Sequence, residues 1–239
     1  MKSINFGCRV LLLLLPVLLF SSCDDEDCIR GRGDVETREF NLDAVSGLRV
    51  NGDARVFVRR GATQRIEVRA QPNVLDAINT SVSNGLWYLS FDRCLRSHKT
   101  MEVHMTVQEL NSAEMIGSGR IELLDEFETN DFRAVLDGSG SLRINVSADR
   151  VNSRLTGSGN IELIGETDGQ EISLTGSGNV KSFGLRSESA GVALSGSGNV
   201  EVHAANELAV TISGSGNVYY QGSPNINSTI SGSGKVIKR

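Results

Sequence analysis

The tripeptide Gly-Ser-Gly begins at Gly117, Gly138, Gly157, Gly176, Gly196, Gly214 and Gly232, with successive spacings of 18 to 21 residues. Two residues before each first glycine stands an apolar residue: Met115, Leu136, Leu155, Leu174, Leu194, Ile212 and Ile230. Four residues after it stands another: Ile121, Leu142, Ile161, Val180, Val200, Val218 and Val236. The alternation runs on into Leu123, Ile144, Leu163 and Val202, the period of two expected of strands with one buried face. Frequent glycine and β-branched residues disfavour helix.

A unit this short cannot bury its own apolar face and gains stability only by stacking on its neighbours. The spacing therefore predicts an all-β chain whose C-terminal part, residues 110–239, is a β-solenoid (β-helix-like) of seven roughly 19-residue rungs. At a strand separation of about 4.8 Å, seven rungs span roughly 30 Å. Ser118, Ser139, Ser158, Ser177, Ser197, Ser215 and Ser233 would stack as a ladder of turn serines. Asn160, Asn179, Asn199 and Asn217 follow the tripeptide directly. Asparagine suits such a corner because it tolerates left-handed φ and its amide can bond nearby groups, and stacked copies should bond from rung to rung.

The template reaches back into residues 29–109 in weakened form. Val50-Asn51-Gly52 followed by Val56 and Val58 keeps the apolar spacing around one glycine, and Ile29-Arg30-Gly31-Arg32-Gly33-Asp34-Val35 keeps both glycines. These read as two degenerate rungs. Between them and the array, alternating strands are expected in Arg65 to Val68, Leu86 to Phe91 and Glu102 to Val107. Pro72 to Asn79 admits one short helical turn with proline at its start. Residues 92–100 read as a polar loop. Trp87 and most of the larger apolar residues lie in this portion, which predicts a β-rich N-terminal cap with a more conventional core.

Residues 1–22 hold Lys2 and Arg9, an apolar run from Val10 to Phe20, and Ser21-Ser22 before Cys23. This is the pattern of a secretory signal, too short for a stable membrane span. The flank Leu19-Phe20-Ser21-Ser22-Cys23 resembles a bacterial lipobox, which implies acylation of Cys23 as the first mature residue. Residues 23–28 would then be an acidic tether, and Asp24-Asp25-Glu26-Asp27 resembles the Bacteroidetes export signal for the outer face of the outer membrane. The formal net charge is −5 for the whole chain, and removing the signal makes it more acidic. Nucleic acid is not an expected partner of so acidic a chain, because binding it requires a basic surface. Cys8 leaves with the signal and Cys23 takes lipid, so Cys28 and Cys94 remain. In an oxidising envelope these two would pair if the fold brings them together.

Several of these residues carry a resemblance. The frame Cys-x-x-Gly-x-Gly near the mature start, Asn73-Val74-Leu75-Asp76-x-Ile78-x-Thr80, Gly85-Leu86, the repeated Ser-Gly-Ser-Gly and the closing Tyr220-x-Gly222-x-Pro224 together resemble the putative auto-transporter adhesin, head GIN domain family. The likeness covers essentially the whole mature chain. It implies an adhesive role at the cell surface and supplies no catalytic residues.

The chemistry of the repeats agrees with a non-catalytic reading. A nucleophile elbow needs Gly-x-Ser-x-Gly between strand and helix with a histidine and an acid elsewhere, and a phosphate loop needs its lysine and a helix. A calcium ladder needs acids at the corner, where the main array has Arg120, Ser141, Lys235 and the asparagines. Neither a metal nor a cofactor is expected. His98, His104 and His203 have no Cys or acid pair at ligand spacing and read as ordinary histidines. Arg32-Gly33-Asp34 matches the integrin-recognition tripeptide, but in the template its flanking residues fall at the serine and asparagine positions, which favours a structural role.

Two classes of function remain. One is a surface lipoprotein acting as an adhesin or interaction scaffold, bound to the membrane through its N-terminal lipid, with a glycan or protein ligand on the solenoid face. The other is a β-helix carbohydrate-active enzyme or glycan-binding protein. An enzyme of that kind needs paired carboxylates in a cleft, and the aligned acids of the array are Glu122, Glu162 and Glu201. Oligomeric state is open at this level.

Overall fold

A computed structural model describes residues 28–239. The expected signal sequence, the acylated Cys23 and the acids from Asp24 to Asp27 lie outside the described residues. The N-terminal portion carries β1 (Glu36–Phe40), β2 (Gly47–Gly52), β3 (Arg55–Arg60), β4 (Arg65–Ala70), the short helix α1 (Pro72–Leu75), β5 (Val82–Ser83), β6 (Leu86–Leu89) and β7 (Glu102–Val107). Then come β8 (Ser112–Gly117), β9 (Arg120–Leu123), β10 (Phe127–Gly138), β11 (Ser141–Gly157), β12 (Asn160–Gly176) and β13 (Asn179–Gly196). The chain continues through β14 (Asn199–His203), β15 (Glu207–Gly214), β16 (Asn217–Gln221), β17 (Asn225–Gly232) and β18 (Lys235–Lys238).

The expected solenoid is present, and its register follows the repeat. Met115 pairs with Leu136, Leu136 with Leu155, Leu155 with Leu174, Leu174 with Leu194, Leu194 with Ile212 and Ile212 with Ile230, all in parallel strands. In β11, β12 and β13 a single strand runs from one corner to the first glycine of the next Gly-Ser-Gly, whereas the rungs of β9 and β10, β14 and β15, and β16 and β17 are each broken between two strands. The leucine column is buried from Met115 to Ile212, and so is the column from Ile121 to Val218.

Both glycines of the tripeptide are demanded by the corner. In Gly138 φ is +128°, and a Cβ there would stand 2.4 Å from the carbonyl oxygen of Gly117 in the level below. In Gly140 a Cβ would stand 2.5 Å from the carbonyl oxygen of Gly119. The close approach lets one carbonyl serve two donors: the oxygen of Gly117 accepts from the N–H of Ser139 at 3.1 Å and of Gly140 at 3.0 Å. Repeated at every corner, this leaves no orphaned amide where the chain turns.

The N-terminal portion departs from expectation in two ways. Residues 86–107 are not a separate core but a level of the solenoid. Leu89 pairs with Val50 and Val50 with Met115, while Met105 pairs with Val58 and Val58 with Leu123. The level that starts at Val50 therefore sits between a later segment on one side and the main array on the other. By contrast, the Ile29 segment adds no level. Ile29 makes one parallel bridge to Leu95, after which β1 pairs antiparallel with β4, and β4 antiparallel with β7. Strand β4 intervenes where a stacked rung would have to lie. Residues 28–40 thus join α1 and β4 in covering the end of the solenoid, where Trp87 is fully buried and its indole N–H donates to the Asn79 carbonyl at 3.0 Å. Cys28 and Cys94 form a disulfide with Cα atoms 4.7 Å apart, tying the first described residue to the loop at this end.

Two polar devices hold register inside and beside the core. Glu114, nearly buried, accepts from Arg49 at 2.7 Å and from Arg133 at 3.1 Å, joining three successive levels. Deeper still, the Gln170 amide donates to the Ser187 hydroxyl at 2.9 Å and the His203 carbonyl at 3.0 Å, and its oxygen accepts from Ser182 at 2.6 Å. A buried amide is tolerable only when its bonds are made in this way.

Candidate functional site

One corner of the solenoid presents the Gly-Ser-Gly stack to solvent. Ser118, Ser139, Ser158, Ser177, Ser197, Ser215 and Ser233 are all exposed there, because the glycines on either side turn the backbone so that the intervening side chain points out. Next to them the asparagines bond along the axis. The Asn179 amide donates to Asn160 Oδ1 at 3.2 Å, Asn199 to Asn179 at 3.4 Å and Asn217 to Asn199 at 3.4 Å. Below Asn160 the column continues with Ser141, which accepts from Arg120 Nε at 3.1 Å. The result is a strip of hydrogen-bonding groups, uncharged from Ser141 to Asn217 and ended by Arg120 and Lys235, with its geometry set by the strand repeat.

The aligned acids are separated from one another by bases. Arg143 stands in register between Glu122 and Glu162, reaching them at 3.8 Å and 2.6 Å, and Lys181 stands between Glu162 and Glu201. Opposite charges thus alternate up this face, as favourable cross-strand pairing requires. The bend on the other side of the rung gathers Asp149, Asp168 and Glu188 in an open groove. Among the described residues no group of three or more His, Cys, Asp and Glu side chains is placed to hold a metal ion.

The histidines fall in separate settings. His98 Nε2 lies 3.3 Å from Asp53, His104 stacks on Phe57 with ring centroids 5.2 Å apart, and His203 lends its carbonyl to the Gln170 network. Arg32-Gly33-Asp34 is an exposed turn. Gly33 has φ of +83°, Arg32 N–H donates to Asn73 Oδ1 at 2.7 Å, and Asp34 pairs with Lys99 at 3.3 Å. Ile29 bridges to Leu95 and the Gly31 N–H donates to the Ser97 carbonyl at 3.2 Å, so the segment runs beside the loop at residues 92–100 and out of the register that the template assigned to it.

Where the strip meets the disulfide-tied loop lies a groove of about 780 Å³. Tyr88, Phe91 and Ile116 supply its apolar surface, and Asn51, Arg93 and Ser118 its polar groups. Tyr88 and Ile116 are 38% and 36% exposed, unusual for large apolar side chains in this molecule. The Asn51 amide donates to the Tyr88 hydroxyl at 3.4 Å. Apart from Ser118, none of these positions stands out in the sequence. The single signal is the run Leu86-Trp87-Tyr88-Leu89, in which alternate residues are buried and Tyr88 must face outward.

Fold and surface together define a class: a parallel β-solenoid closed at its N-terminal end, with a polar corner strip leading into an aromatic groove. More narrowly, the chain belongs to the putative auto-transporter adhesin, head GIN domain family, whose model matches residues 44–224. No curated protein matches the sequence. Among solved structures, a putative adhesin from Bacteroides fragilis NCTC 9343 superposes with a TM-score of 0.81 at 19% identity, over 88% of this chain and 100% of that one. A putative lipid binding protein from Parabacteroides distasonis ATCC 8503 gives 0.75 at 24% identity, over 89% and 100%. A putative adhesin from Parabacteroides merdae ATCC 43184 gives 0.69 at 20%, over 89% and 99%. At these identities the likeness is one of fold.

Proposed function

We propose that the protein is a non-catalytic lipoprotein adhesin of the outer membrane, anchored through Cys23, facing the cell exterior and binding a glycan in the groove beside Tyr88. The observation that carries the glycan reading is the exposed Tyr88 ring at the mouth of an otherwise polar strip. An aromatic face offers apolar area to the C–H side of a sugar ring, while neighbouring amides and hydroxyls meet its oxygens. The long polar corner extends that recognition along several residues of a polymer. A catalytic reading has less support, since Glu122, Glu162 and Glu201 alternate with Arg143 and Lys181.

The test is a glycan and host-matrix array probed with the full chain. A specific saccharide hit is expected, and Tyr88→Ala should weaken it by about tenfold or more, as loss of an aromatic anchor does, with the thermal midpoint unchanged. Binding that survives Tyr88→Ala at full strength would place the ligand elsewhere. Anchoring is tested separately: Cys23→Ala should abolish acyl labelling and move the protein from the membrane fraction to the soluble one. Labelling that persists in this variant would end the lipoprotein reading.

A further inference from the structure

The two ends of the solenoid are finished differently. At the N-terminal end the first level is covered, and Trp87 is fully buried. At the other end β17 pairs only with β15 and β18 only with β16, so among the described residues nothing pairs with their outer edges. Every residue of β17 is exposed. Its inward positions are set by register: Ile226 continues the column of Leu208, Ser228 that of Val210 and Ile230 that of Ile212, all three buried in the level beneath. Ile226 and Ile230 are left 42% exposed.

Exposed sheet edges normally carry charge, proline or a very short strand to prevent pairing. The other edges of this molecule follow that rule. Strand β18 has Lys235 and Lys238 at its ends, β1 has Glu36, Arg38 and Glu39, and β5 is two residues long. Strand β17 has eight residues, Asn-Ile-Asn-Ser-Thr-Ile-Ser-Gly, with no charge and no proline. Among the described residues it is the one edge left fit to pair.

We infer that β17 is a self-association surface, pairing antiparallel with β17 of a second copy of this chain about a two-fold axis at Ser228. The strand is self-complementary about that point. A two-fold at Ser228 sets Ile226 opposite the partner's Ile230 and Ile230 opposite the partner's Ile226, all four on the core side. It also sets the two Ser228 hydroxyls against each other. Ser228 ends a column that reads Ala134, Ser153, Ile172, Val192 and Val210 in the levels before it. The buried Ser153 donates to the Glu171 carbonyl of the next level at 3.5 Å, and at the last level an opposed hydroxyl would supply the partner that no further level provides. The lysines at both ends of β18 put charge on the neighbouring edge, which disfavours pairing there. An isologous contact of this kind closes at a dimer and does not propagate into a filament.

The test uses the full chain, purified in mild detergent, and a single cysteine at the proposed axis. Opposed residues of an antiparallel pair have Cα atoms about 4.5–5.5 Å apart, within disulfide reach. Ser228→Cys should therefore cross-link to a dimer under mild oxidation, while Ser197→Cys, exposed in mid-array, should not. Ile230→Lys should weaken sedimentation-detected dimerisation by about tenfold or more and leave hydrogen-exchange protection of β11 to β13 as in the parent. Equal cross-linking at residues 228 and 197, a dimer indifferent to Ile230→Lys, a monomer at all concentrations, or open head-to-tail polymers would each overturn the two-fold pairing.

Discussion

Leu174→Asp is expected to disrupt the middle of the array, with a loss of stability of about 5 kcal/mol or more. Leu174 is fully buried and lies in register between Leu155 and Leu194. Truncating a buried leucine costs about 2–5 kcal/mol, and an unpaired carboxylate among leucines adds a desolvation penalty of several more. Asn179→Asp makes the useful contrast, being a change of one atom five residues further on. Its side chain is half-buried at the corner, where it donates to Asn160 and accepts from Asn199. An aspartate keeps the acceptor and loses the donor, so the cost should be about 0.5–1.5 kcal/mol. Because a stacked array can open in parts, the global melting midpoint should be read together with hydrogen exchange of the flanking levels. Protection lost in β11 to β13 for Leu174→Asp and kept for Asn179→Asp is the expected result. The reverse order would mean that the inner and outer faces of the rung are exchanged.

The second large effect is predicted at a corner glycine. Gly176 has φ of +124°, and a Cβ built on it would stand 2.3 Å from the carbonyl oxygen of Gly157. Gly176→Ala therefore meets two separate obstacles, a backbone conformation costing about 1–3 kcal/mol for a residue with a side chain and a backbone clash costing about 1–3 kcal/mol more. Gly52 separates them. Its φ is +118°, yet a Cβ there meets nothing within 4 Å, so Gly52→Ala should show the conformational part alone. Denaturant titration of the two variants ought to place Gly176→Ala clearly below Gly52→Ala. Equal losses would show that the neighbouring level yields freely and that the second obstacle is absent.

The same two glycines explain what was legible in the sequence. Seven corners can be read directly because the Gly-Ser-Gly rule is a rule of close approach: each first glycine packs against a carbonyl of the level before it, and no other residue fits. Gly52 has no such neighbour, and the corner of the first level, in residues 92–100, has lost the tripeptide altogether. The repeat signature therefore fades where the constraint lapses, and residues 86–107 could not be recognised as a rung from their spacing. The template misled at Ile29 for the opposite reason. Its glycines and apolar residues match, but β4 occupies the place beside β7 where that segment would have to stack.

What the sequence by itself determined is everything that repeats: the all-β solenoid, the buried leucine and valine columns, the outward serines and the asparagine corner. Parallel stacking brings each residue against its own equivalent one level away, so a local period is enough to state the long-range contact. Only the tertiary structure decided what does not repeat. The fork of Arg49 and Arg133 on Glu114, the placing of Arg143 between Glu122 and Glu162, the Tyr88 groove and the uncovered edge of β17 each depend on which distant segments become neighbours. That choice is made by packing at the ends and by side-chain pairing between levels, and no period in the chain encodes it.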